Sequence, residues 1–102
     1  MKRLALLFIN LSIVAVSMAQ KEIPLYKNKI PNAKPVNNEE KSETNSDGIL
    51  IISKITQPTV SVFLPAAEKR NGTAVIIFPG GGYQIVAAGH EGYDVAKRFT
   101  EI

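Results

Sequence analysis

The residues whose types and spacing could do chemistry cluster late in the chain: Pro79-Gly80-Gly81-Gly82-Tyr83, followed by His90, Glu91 and Asp94. Three consecutive glycines carry no Cβ, so the backbone can adopt positive φ, come close to a ligand and present its N–H groups. Gly-rich loops between a strand and a helix hold phosphate in two common settings, and neither pattern is met here. A P-loop closes on Gly-Lys-Ser or Gly-Lys-Thr, which is absent, and the dinucleotide fingerprint needs glycine at the sixth place from Gly80, where Ile85 stands. His90 is the single histidine. With no serine or metal partner beside it, it is expected to pack or hydrogen-bond where a helix begins rather than to act as a base. His90, Glu91 and Asp94 could be offered to a metal, but zinc wants three or four converging ligands, so no metal and no cofactor are expected. Glycine also serves plain turns, so a strand-to-helix bend without chemistry is the competing reading.

Such a loop needs a strand before it and a helix after it. Asp47-Gly48 punctuates a change into the apolar run Ile49-Leu50-Ile51-Ile52, short and β-branched, which predicts a first strand. After Thr56-Gln57-Pro58, the stretch Thr59 to Leu64 alternates with period two and predicts a second strand, hairpinned to the first. Pro65 stops it. Asn71-Gly72 is a favoured turn pair, and Asn71-Gly72-Thr73 also fits the glycosylation pattern, although the turn needs no sugar. A third strand is expected over Val75-Ile76-Ile77-Phe78, apolar on both faces as an inner strand would be, with Pro79 ending it. From Glu91 to Ile102 the spacing predicts a helix whose apolar stripe is Val95, Phe99 and Ile102, with Ala96 beside them.

Composition narrows the field further. With 102 residues, one small core is the most the chain could build. Its 45% hydrophobic and 21% charged residues are those of a globular protein. There are no cysteines, which excludes disulfides, thiolate catalysis and Cys-ligated zinc. Residues 1–19 read as a secretory signal peptide: Lys2 and Arg3 start it, Leu4 to Val16 form an apolar run, and Ser17 and Ala19 supply small residues before a cut near Ala19. An uncleaved anchor is the alternative, but the run is short of the roughly 20 apolar residues a spanning helix needs, so no stable membrane anchor is expected. The 12 basic side chains less those two leave 10 against 9 acidic, no footprint for a nucleic acid. Residues 20–47, polar and spaced by Pro24, Pro31 and Pro35, are expected to form an extended or partly disordered leader, and residues 48–102 the folded part.

The stretch Val75-Ile76-Ile77-Phe78-Pro79-Gly80-Gly81-Gly82-Tyr83, with His90-Glu91-Gly92-Tyr93-Asp94-Val95-Ala96, resembles acetyl xylan esterase and related carbohydrate-ester hydrolases of the α/β-hydrolase superfamily. The likeness covers roughly residues 48 to 102. In that superfamily a His-Gly-Gly-Gly type loop after the third strand offers N–H groups to the anion formed during ester cleavage. The resemblance implies an α/β fold, the N-terminal part of an α/β-hydrolase sandwich with its first three strands, oxyanion loop and first helix. It places the oxyanion donors at the backbone N–H groups of Gly81 and Gly82, with Tyr83 as a third. Pro79 stands where the lipase form has histidine, so any bracing of the loop by that imidazole is missing.

No Gly-x-Ser-x-Gly is present: Ser42 and Ser46 lie in the leader, Ser53 and Ser61 in or beside strands. In this superfamily Ser, acid and His all follow the oxyanion loop, so His90 cannot be the triad base. The expectation is therefore an N-terminal fragment of an exported serine esterase, its substrate an ester, with the resemblance implying acetylated polysaccharide, and with nucleophile, acid and base outside these residues. A small exported binding or structural module without chemistry is the alternative.

Overall fold

The computed structural model describes residues 20–102, so the expected signal peptide, residues 1–19, lies outside the described residues. Among the described residues the architecture is mixed α/β, with two small antiparallel sheets and one α-helix. In chain order the strands are β1 (Lys21–Pro24), β2 (Lys41–Thr44), β3 (Leu50–Ser53), β4 (Thr59–Val62) and β5 (Ile85–Val86). A 3-10 turn spans Ala67–Lys69, and a π-helical turn, Ala88–Tyr93, runs straight into α1 (Asp94–Glu101).

The first two expected strands form where alternation and β-branched residues placed them, but they do not pair with each other. Strand β4 pairs with β1, and β3 sits between β2 and β5. The polar leader thus supplies the partner of each: Lys21 opposes Val62 and Pro24 opposes Thr59, while Lys41 opposes Ser53 and Thr44 opposes Leu50. The expected hairpin between them is corrected: the leader strands β1 and β2 take the ladder positions beside β4 and β3, and the chain leaves β3 through Lys54 at φ 52°. The hairpin that does form joins β2 to β3. Asn45 builds it: its Oδ1 accepts the N–H groups of Asp47 at 3.0 Å and Ile49 at 2.9 Å, and Gly48 takes φ 76°. All the residues of β1 and β2 are exposed, so these edge strands carry none of the apolar alternation that marks a half-buried strand.

One exposed ion pair ties the leader to the end of β3. Lys54 Nζ lies 2.9 Å from Glu39 Oε2. That hydrogen bond, together with the ammonium charge and a smaller contribution from Lys41, holds the Glu39 carboxyl below its ordinary range. A depressed carboxylate stabilises the fold above its unfolded-state pKa, and the benefit disappears as pH falls through the folded-state value. Both groups face solvent, so the net effect is small. Lys54→Met is expected to return the Glu39 titration upward in a carbon-detected NMR pH series, with an unchanged melting temperature at neutral pH.

Two further expectations are corrected. Val75 to Phe78 runs without joining any ladder among the described residues, because a strand needs a neighbour's N–H and C=O groups and none lies alongside. The helix begins earlier than Glu91, as the π turn at Ala88, and its inward face differs: Gly92 and Thr100 are buried, whereas Phe99 is half exposed and Ile102 lies in solvent. Backbone packing is close at the helix start. A Cβ on Gly89 would fall 2.9 Å from the Leu50 nitrogen, and one on Gly92 would fall 2.9 Å from Pro79 Cγ. Glycine lets the π turn sit directly on β3 and on Pro79.

The buried apolar centre is small: Ala87 at 7% exposure and Ala88 at 3%, directly behind the glycine loop. Tyr93 brings the other sheet to the same place, its ring centroid 5.6 Å from that of Phe63 and its hydroxyl 3.4 Å from Ser61 Oγ. At the far end of α1, Lys69 donates to the Glu101 carbonyl, a cation at the negative end of the helix.

Candidate functional site

The loop from Pro79 to Ala87 is shaped by three backbone hydrogen bonds. Gln84 N–H donates to the Gly81 carbonyl at 3.2 Å, Ile85 N–H to the same oxygen at 3.3 Å, and Ala87 N–H to the Gly80 carbonyl at 2.9 Å. The first closes a four-residue turn, Gly81 to Gln84, whose central residues both have positive φ: Gly82 at 61° and Tyr83 at 63°. Two positive central angles are the mark of a type I′ turn. The turn leads directly into β5, which pairs Val86 with Ile52 and Ile85 with Ser53 of β3.

Each glycine here answers a different demand. A Cβ on Gly81 would lie 1.8 Å from the Ile85 carbonyl oxygen, an impossible contact with backbone, so only glycine fits. Gly82 faces open space, and its need is conformational. A Cβ on Gly80 would meet Glu91 Oε2 at 2.9 Å, the same oxygen that accepts the Gly80 N–H at 2.7 Å.

The three N–H groups that follow, on Gly81, Gly82 and Tyr83, donate to no partner among the described residues. The structure therefore brings the sequence-predicted donors together as consecutive amides of a single turn beside the start of the helix. Tyr83 is fully exposed and rests on nothing, yet it occupies a left-handed position that costs a side chain about 1 to 2 kcal/mol. That cost is what the second central position of the type I′ turn demands, and the turn and the β5 pairing that follows offset it. Tyr83→Gly should relieve that strain, offset partly by the freer unfolded chain, for a net gain of about 0.5 to 1 kcal/mol in a urea melt. A loss of stability would show that Tyr83 is held by contacts in the fold.

The other side chains singled out for chemistry in the sequence, His90, Glu91 and Asp94, meet no hydroxyl among the described residues. His90 is half exposed, its Nε2 3.6 Å from Glu91 Oε1, and it has no hydroxyl partner among the described residues. Asp94 pairs across the helix surface with Lys97 at 3.9 Å. Among the described residues no group of three or more His, Asp or Glu side chains is arranged to hold a metal, so His90, Glu91 and Asp94 do not converge. Asn71 Oδ1 accepts the Thr73 N–H at 3.0 Å and Gly72 takes φ 83°, which is the expected turn. Two surface grooves lie away from the loop, one beside Val36 and Ile55 and one beside Tyr26 and Pro58.

The contact between Glu91 and Gly80 was not visible in the sequence, which shows Glu91 only as an acid near a helix start, suited to the helix dipole. A carboxylate one turn into a helix that follows a glycine run is the signal that could have raised it. No protein-family model, curated protein or solved structure matches the chain.

Proposed function

We propose that this chain carries the oxyanion-binding loop of an exported serine-type ester hydrolase of the α/β-hydrolase superfamily, similar to the esterases that deacetylate polysaccharide. In this reading residues 48–102 are the N-terminal part of the hydrolase domain. The Gly81 and Gly82 N–H groups, with that of Tyr83, receive the negative oxygen of the tetrahedral intermediate. No serine here has a Gly-x-Ser-x-Gly setting, so the nucleophile, acid and base come from polypeptide outside these 102 residues. The substrate in this reading is an ester, of the acetylated-carbohydrate class. The basic start and short apolar run of residues 1–19 support export with cleavage near Ala19.

One observation carries the proposal: three successive amides without partners among the described residues, on a turn that only glycine at position 81 permits and that tolerates strain at Tyr83. Preorganised donors of this kind, aimed where charge develops, are each worth about 2.7 to 4 kcal/mol in an acyl-transfer transition state. Esterase assays on the full-length protein with p-nitrophenyl acetate test it. Saturable turnover that a serine-directed phosphonate abolishes is expected, whereas residues 1–102 alone should give none. Full-length protein without such turnover would leave the loop as a plain turn in an exported binding or structural module.

A further inference from the structure

Glu91 reaches back across the loop that precedes it. Its Oε2 accepts the Gly80 N–H at 2.7 Å, a short bond with a charged acceptor, while the Gly80 carbonyl accepts the Ala87 N–H at 2.9 Å. The Gly80 residue is thereby held from both sides, and it is the last residue before the unpartnered amides begin. Glu91 is itself anchored. It sits in the π turn Ala88–Tyr93, its N–H facing the Ala87 carbonyl at 3.4 Å, and the next residue, Gly92, rests so closely on Pro79 that a Cβ would come within 2.9 Å of the ring. Successive residues of the π turn thus grip successive residues of the loop, 91 on 80 and 92 on 79.

We infer that Glu91 is a positioning residue of the oxyanion loop, its carboxylate fixing Gly80 so that the N–H groups of Gly81, Gly82 and Tyr83 stay free and oriented toward the anion. The inference rests on the oxyanion reading of the loop. It also fixes the donor set. The Gly80 N–H is already engaged and is excluded from it, and the bracing that Pro79 cannot supply comes from a carboxylate on the following helix. Because Gly80 and Glu91 are both exposed, the contact contributes little to stability, and variants at position 91 should fold.

The test uses the full-length protein with Glu91→Ala and Glu91→Gln. The glutamine keeps a carbonyl oxygen as acceptor and loses the charge. Amide hydrogen exchange at Gly80 is expected to accelerate roughly threefold to tenfold in the alanine variant and to stay at the native rate in the glutamine variant. On p-nitrophenyl acetate, Glu91→Ala should lower kcat by about 10-fold to 100-fold with KM little changed, as misplacement of reacting groups does. Glu91→Gln should keep most of the native kcat. Native Gly80 exchange in Glu91→Ala would overturn the inference, and so would a kcat loss in Glu91→Gln as large as in Glu91→Ala. If Gly80 exchange responds as described while the native protein shows no serine-dependent ester cleavage, the clamp stands and the esterase reading is the part that fails.

Discussion

Gly81→Ala is expected to destabilise the protein by about 3 kcal/mol, in the upper range for forcing extra volume into a packed site. The alanine methyl would fall 1.8 Å from the Ile85 oxygen, 2.5 Å from its carbonyl carbon and 3.2 Å from the Val86 nitrogen. All three are backbone atoms, so no side chain can swing aside. Relief requires the turn to open. That breaks the bonds from Gln84 and Ile85 to the Gly81 carbonyl and pulls β5 away from Ile52 and Ser53. Gly82→Ala is the internal control. Nothing lies within 4 Å of its Cβ, and only the left-handed φ of 61° is penalised, about 1 to 2 kcal/mol. Chemical denaturation of the two variants should therefore separate them clearly. If the loop is the oxyanion hole proposed above, Gly81→Ala keeps the N–H but displaces it, and kcat of the full-length protein should fall by up to the roughly 100-fold to 1000-fold that losing one donor costs. Equal stabilities for the two variants would mean that the turn does not close on Ile85.

The second large effect concerns Val75 to Phe78, and its sign depends on what covers the segment. Here Ile76 is 78% exposed and Phe78 86% exposed, in the run Thr73 to Phe78, which carries neither charge nor proline. An uncharged β-branched segment with free backbone groups is a template for pairing with another chain. Residues 1–102 alone are expected to self-associate, and Ile76→Lys should weaken that association about tenfold or more, equivalent to about 1.4 kcal/mol, in sedimentation velocity. If the segment is the inner strand of a larger sheet in the full-length protein, the same lysine must be buried there without a partner. It should then lower stability by about 3 kcal/mol or more instead. A lysine tolerated in the full-length protein would remove the inner-strand assignment and weaken the hydrolase reading with it.

What could be read from the sequence was whatever neighbouring residues decide among themselves. Alternation over Thr59 to Leu64 and the β-branched run before Ser53 produced strands, because pleated backbone suits those side chains once a partner strand lies alongside. Asn71-Gly72 produced a turn through its own amide oxygen, and the glycine run produced a bend with bare amides because only glycine can follow that path.

Pairing was another matter. Strands β1 and β2 are exposed and polar, so nothing in Lys21–Pro24 or Lys41–Thr44 distinguishes them from loop. They become strands because β4 and β3 lie alongside with free ladder groups. Val75 to Phe78, with the strongest strand composition in the chain, forms no ladder for the converse reason. The helix start rests on two close contacts, Gly89 on Leu50 and Gly92 on Pro79, between residues distant in sequence or separated by the loop. The Glu91 to Gly80 bond follows from that same docking. Local residues determined which backbone shapes were open to each segment, and only the tertiary structure decided which were taken, because hydrogen bonds between segments and close backbone approach exist only once those segments meet.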